Sequence, residues 1–178
     1  MKYKQTIFKY YSQNKGFTIF EVLVSLLIVT VFLAVAMQAV LIAIVLKSRA
    51  EQRNEAVTWI QKDLEFVKNQ AKEYESNTFP YSVRCNATTA ADGFAAGLLH
   101  SILGTPMSPP PLPPPTTTSV SKTLGGRNFT LTRTSIYDTP TYAYKLLQLT
   151  YNITPVGGDS AIATLSTEII PNASLKCP

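Results

Sequence analysis

Residues 22–46 form one unbroken run of uncharged, mostly aliphatic side chains, 25 in all, interrupted in polarity only by Ser25, Thr30 and Gln38. As a helix rising about 1.5 Å per residue it would extend roughly 37 Å, more than the roughly 30 Å hydrocarbon core of a bilayer. The pattern changes at Lys47. Ala50, Val57, Leu64 and Ala71 fall on one seven-residue series, and Ile60, Val67 and Tyr74 on the interleaved one. Steps of three and four residues give one apolar helix face, widened by Trp59 and Phe66, with Glu51, Glu55, Lys62, Asp63, Glu65, Lys68 and Glu73 on the solvated side. No Pro or Gly breaks residues 17–76, so the two parts are expected to form one long helix, 17–46 apolar and 47–76 amphipathic.

Residues 77–121 carry no such period. Pro80 ends the helical pattern, residues 87–103 fit either a short helix or a loop, and six prolines within residues 108–115 favour an extended polyproline connector. From Thr123 the period becomes two. Phe129, Leu131 and Arg133 alternate with Thr130, Thr132 and Thr134; residues 142–154 and 161–170 supply two further strands. Gly125-Gly126 and Gly157-Gly158 provide the residues tight turns need. The predicted class is α+β: a long N-terminal helix packed on a small antiparallel sheet of three or four strands spanning 122–178. Its apolar face would lie against Val57, Ile60, Leu64, Val67 and Tyr74. A helix with heptad-like spacing could instead seek a coiled-coil partner, although this one is short for that role and has a sheet to cover.

Charge sharpens the picture at the N-terminus. The chain carries +5, of which Lys2, Lys4, Lys9 and Lys15 account for four, with no acid among them; the rest holds 12 basic and 11 acidic residues. Without a basic patch, nucleic-acid binding loses its phosphate-neutralising argument. The lysines before the apolar run, against mixed charges after it, place the N-terminus on the cytoplasmic side. An ordinary secretory signal fits poorly, because the run exceeds the usual h-region and no small-residue cleavage site closes it. No phosphate loop, metal-ligand spacing or nucleophile-plus-base set is present, and His100 is the sole histidine, so no catalytic residue, metal or cofactor is expected.

The junction itself is more specific. Lys15-Gly16-Phe17-Thr18-Ile19-Phe20-Glu21 places a carboxylate at the edge of the apolar run, five residues into the segment that follows Gly16. This junction resembles the class III leader of type IV pilins and of type II secretion pseudopilins. The resemblance implies that a prepilin peptidase cuts between Gly16 and Phe17, removing residues 1–16, and that Phe17 becomes N-methylated. It implies further that Glu21 acts in assembly, that the partners are other pilin-like subunits, an inner-membrane assembly platform and the lipid bilayer, and that the head is periplasmic or extracellular. Gln38 stands near where many major pilins have a kinking proline, which points to a minor pilin or pseudopilin. An oxidising location would allow Cys85 and Cys177 to form a disulfide, the alternative being two free thiols. The expected role is a structural subunit of a pilus or secretion pseudopilus. Its rivals are an envelope hydrolase and a tip-located binding module using Tyr137, Tyr142, Tyr144 and Tyr151.

Overall fold

The computed structural model describes residues 16–74, 84–105, 115–137, 140, 144–158 and 160–177. The chain divides into two compact units, Met1–Leu46 and Lys47–Pro178. Helix α1 (Ile19–Glu73) contributes its first part to one and the remainder to the other. In the first unit all described residues are exposed, among them 21 large apolar side chains between Phe17 and Leu46. An apolar surface so extensive marks a segment made for lipid or for other helices, not for water. Ser25 donates to the carbonyl of Glu21 (2.7 Å) and Thr30 to that of Leu27 (2.9 Å), so both hydroxyls are satisfied within the helix itself.

In the second unit, residues 47–73 of α1 pack on a four-stranded antiparallel meander, ordered β1-β2-β3-β4. The strands are β1 (Thr116–Leu124), β2 (Arg127–Ile136), β3 (Leu147–Pro155) and β4 (Ala163–Ile169). Gly125 and Gly126, with φ of 51° and 80°, form the two-residue β1–β2 turn. Both angles lie in the left-handed region that a type I′ turn requires and that glycine adopts without penalty. Gly157 (φ 78°) serves the β3–β4 turn, closed by Gly158 N–H donating to the Pro155 carbonyl (3.0 Å).

Strict alternation in β2 and β3 turns Phe129, Leu131, Leu147, Leu149, Tyr151 and Ile153 toward the helix, where all are buried. The helix meets them with Ala56, Ile60, Val67 and Ala71, while Trp59, Leu64 and Tyr74 are partly buried. Val57, expected on this face, is instead 45 % exposed, and Phe66 is 47 % exposed. A seven-residue series drifts by about 20° per heptad on a straight helix of 3.6 residues per turn, so its early members rotate off the face that its later members occupy. Ala56 takes the place of Val57.

In the stretch 77–121, where the sequence leaves a short helix or a loop open for 87–103 and predicts no strand, a helix and the start of the sheet are found. The sheet starts at Thr116 rather than at 122, and helix α2 (Phe94–Leu103) forms ahead of it. Residues 93–100 are all buried, so the first two turns of α2 are enclosed on every side and leave no one-sided period there. Gly104 (φ 63°) ends it, and Thr105 N–H caps the His100 carbonyl at 3.1 Å. The run at 108–114, Tyr142 and the second half of the predicted helix end, residues 75–76, lie outside the described residues.

The opposite face of the sheet is polar. Register places Thr117, Thr134, Thr150 and Ser166 in one rank across the four strands. The next rank is Ser119, Thr132, Asn152 and Thr164.

Candidate functional site: the N-terminal segment of the first helix

Gly16, Phe17 and Thr18 are non-helical, and α1 begins at Ile19. Thr18 sets that start. Its carbonyl accepts from Glu21 N–H (3.0 Å) and Val22 N–H (3.2 Å), and its Oγ1 lies 3.3 Å from the same Glu21 N–H. Thr18-x-x-Glu21 is therefore the sequence of a capping box, in which the Thr18 hydroxyl and carbonyl share the Glu21 amide of the first turn. The Glu21 carboxylate sits in the first turn, where the positive end of the helix dipole favours an anion. Among the described residues no side chain pairs with it. Beside it, a shallow groove of about 350 Å³ is lined by Phe17, Val22, Ser25, Leu26 and Val29, steps of three and four along one helix stripe. Ser25, the smallest of these, forms the depression.

Gly16 has neither a positive φ nor any described atom within 4 Å of the position a Cβ would occupy. Nothing in the local packing of the described residues requires glycine there. The capping role of Thr18 was readable from the sequence, since Thr followed three residues later by Glu before an apolar run is the signature of a helix start.

The two cysteines are joined, with Cα atoms 5.5 Å apart, across 92 residues of sequence. Cys85, Phe94 and Ala173 form a small second core, which fastens the turn Asn172–Lys176 beside the N-terminus of α2. Of the tyrosines considered for a binding role, Tyr137 and Tyr151 are buried, and Tyr144 is half-buried with its carbonyl accepting from Ala95 N–H (3.0 Å). His100 is also buried, its Nδ1 3.0 Å from Thr105 Oγ1; burial, then the nearby Arg84 charge, holds its pKa below the usual histidine value. Among the described residues, no group of three or more His, Cys, Asp or Glu is placed to hold a metal ion.

Asp63 departs from its expected solvated position. Buried Arg133 on β2 donates from Nη1 to Asp63 Oδ2 at 2.8 Å, bridging sheet and helix. Tyr151, directly opposite Arg133 on β3, has a buried hydroxyl beside this pair but without a well-formed hydrogen bond. Burial, then the adjacent Asp63 carboxylate, raises its pKa well beyond the ordinary tyrosine range. A second concavity, about 450 Å³, lies between α1 and β1, where Lys122 Nζ stands 5.8 Å from the centre of the Trp59 ring.

Residues 11–37 match the family model described as the prokaryotic N-terminal methylation motif. The chain thus carries the hallmark segment of prepilin-type proteins, type IV pilins and pseudopilins alike. The match spans the Gly16-Phe17 junction, Glu21 and the first half of the apolar run. Comparison with curated proteins found no match, and comparison with solved structures found none.

Proposed function

We propose that this chain is a structural subunit of a type IV pilus or a secretion pseudopilus. The observation that carries the reading is the methylation motif at residues 11–37, joined to a helix whose first unit exposes an apolar surface long enough to cross a bilayer. In this reading residues 1–16 are a leader cut by a prepilin peptidase after Gly16, and Phe17 is the methylated N-terminus. Residues 17–46 hold the chain in the inner membrane with its N-terminus cytoplasmic, and later pack against the same segment of neighbouring subunits. Residues 47–178 form a head on the far side, where an oxidising compartment keeps Cys85 and Cys177 joined. The locally unneeded Gly16 supports an external demand, such as a peptidase subsite that admits no side chain. The work is polymerisation, and no chemistry by this chain is invoked.

Co-expression with a prepilin peptidase tests the reading. Mass spectrometry of the mature chain should find residues 1–16 gone and an N-methylated Phe17. Gly16→Leu should block the cut while leaving membrane insertion intact, because residues 22–46 are untouched. A cut within or beyond residues 22–46 would identify an ordinary signal peptide and end this proposal.

A further inference from the structure

The strands β1 and β4 are the edges of the sheet, and β1 has the composition that invites pairing. Five of its nine residues are β-branched, none is Pro or Gly, and Lys122 is its single charge. It pairs with β2 alone, so among the described residues the backbone groups that residues 117–123 turn away from β2 have no partner strand. Register sets Val120 opposite buried Leu131, on the core side of the sheet, yet Val120 is 57 % exposed. An uncovered apolar residue beside an open row of donors and acceptors is a template for a strand from another chain.

Lys122 stands in the way of such a strand. It shares the parity of Val120 and Leu124 and lies opposite buried Phe129, so it leaves the strand on the core side, where its ammonium stands 5.8 Å from the centre of the Trp59 ring on α1. The negative face of the indole holds the cation there, instead of leaving the long side chain to swing out from the edge. Lys62, three residues on from Trp59, lines the same concavity of about 450 Å³, whose one carboxylate is Glu55. A strand added about 4.7–4.9 Å beyond β1 would continue the sheet over this flank of α1 and roof the concavity. Two ammonium groups would lose water with one carboxylate between them, and enclosing an unpaired charge is strongly unfavourable. We propose that Lys122, held over Trp59 and backed by Lys62, closes the free edge of the sheet to strand addition, so that the head does not associate through β1. In the assembly reading above, copies crowded in one membrane then meet through residues 17–46 and not edge to edge; the closure of the edge does not itself rest on that reading.

The test compares full-length chains in one detergent: wild type, Lys122→Val, Lys122→Arg and Ser121→Val. Valine at 122 removes the charge and favours a strand, whereas arginine keeps a cation over the ring. Valine at 121 adds the same side chain to the outward face of the same strand with Lys122 in place. Sedimentation gives the association state, and hydrogen exchange read by mass spectrometry shows which amides association protects. Lys122→Val is expected to associate at a concentration roughly tenfold below that of wild type, with new protection in residues 117–123. Lys122→Arg and Ser121→Val should behave as wild type. Both positions are exposed, and Lys122→Thr, with a residue β1 already carries, gives the same reading should valine disturb the fold. Lys122→Val and Lys122→Thr that sediment like wild type, equal association of Ser121→Val, or association that leaves residues 117–123 unprotected would overturn the proposal. Protection of residues 117–123 in wild type, by self-association or by an added peptide of alternating valine and glutamate, would overturn it too, because the edge would then be open. The comparison needs neither processing nor filament formation, so its failure leaves the assembly reading standing.

Discussion

Arg133 is a charged group on the core side of the sheet, 7 % exposed, and one carboxylate offsets the cost of placing it there. Its parity with Phe129 and Leu131 was visible in the sequence; its partner was not, since Asp63 lies 70 residues away on a helix rich in solvated charges. Removing one member of a buried pair costs about 3–5 kcal/mol, and the quarter-exposed Asp63 moves the figure toward or below the lower end. Asp63→Asn should therefore destabilise the head, measured by urea unfolding, whereas Asp63→Leu combined with Arg133→Met should recover most of the loss. His100 gives a second single-residue effect. Its folded pKa is lowered, so the unfolded chain binds more protons as pH falls below the free-histidine value of about 6.5. Stability should fall as pH drops through that value toward the folded pKa and be regained as pH rises. His100→Gln, which keeps a polar group near Thr105, should flatten this slope in unfolding curves taken between pH 5 and 8 at roughly half-unit steps.

Among the elements, residues 47–73 of α1, β2, β3 and β4 were legible because each has one wet and one dry face, which leaves a period in the sequence. α2 and β1 fail that condition in opposite ways. Leu98, Leu99 and the rest of α2's first two turns are buried on every side, while β1 is an edge strand whose residues, Leu124 apart, are largely exposed. Neither has a contrast to read. The seven-residue series likewise named the helix face but misplaced its early edge by one residue, at Val57 against Ala56. What the pattern could not show is how the segment from 84 to 105 is held, since its anchor is covalent. Cys85–Cys177 closes a loop of 92 residues, for which chain entropy gives a stabilisation of about 4–5 kcal/mol. Reduction, or Cys177→Ser, should lower the urea midpoint of the head by a large part of its stability. It should first release Phe94 and Ala173, the apolar neighbours of the bond, seen as early hydrogen exchange in α2 and in residues 172–176.

At the scale of the whole molecule, two units with different surfaces share one helix, and the apolar unit was the easier to recognise because no charge follows Glu21 until Lys47. Glu21 itself has two physical readings that act at different scales. Locally it is the third residue of a capped helix, where a carboxylate at the dipole's positive end is worth about 0.3–1 kcal/mol when exposed. Collectively, a charge carried into an apolar assembly costs about 2.5–3.5 kcal/mol at the membrane centre and less near its edge, a burden that a neighbouring subunit's Phe17 amine would offset. Glutamine separates the readings. It can serve the third position of a capping box as glutamate does, but it carries no charge to pair with an amine. If Glu21 works through charge, Glu21→Gln and Glu21→Ala should both insert, lose residues 1–16 and fold their heads, yet fail to enter sheared or cross-linked filaments. A Glu21→Gln chain that assembles like the wild type, with only Glu21→Ala impaired, would assign the residue to starting the helix and leave the pairing with Phe17 without support.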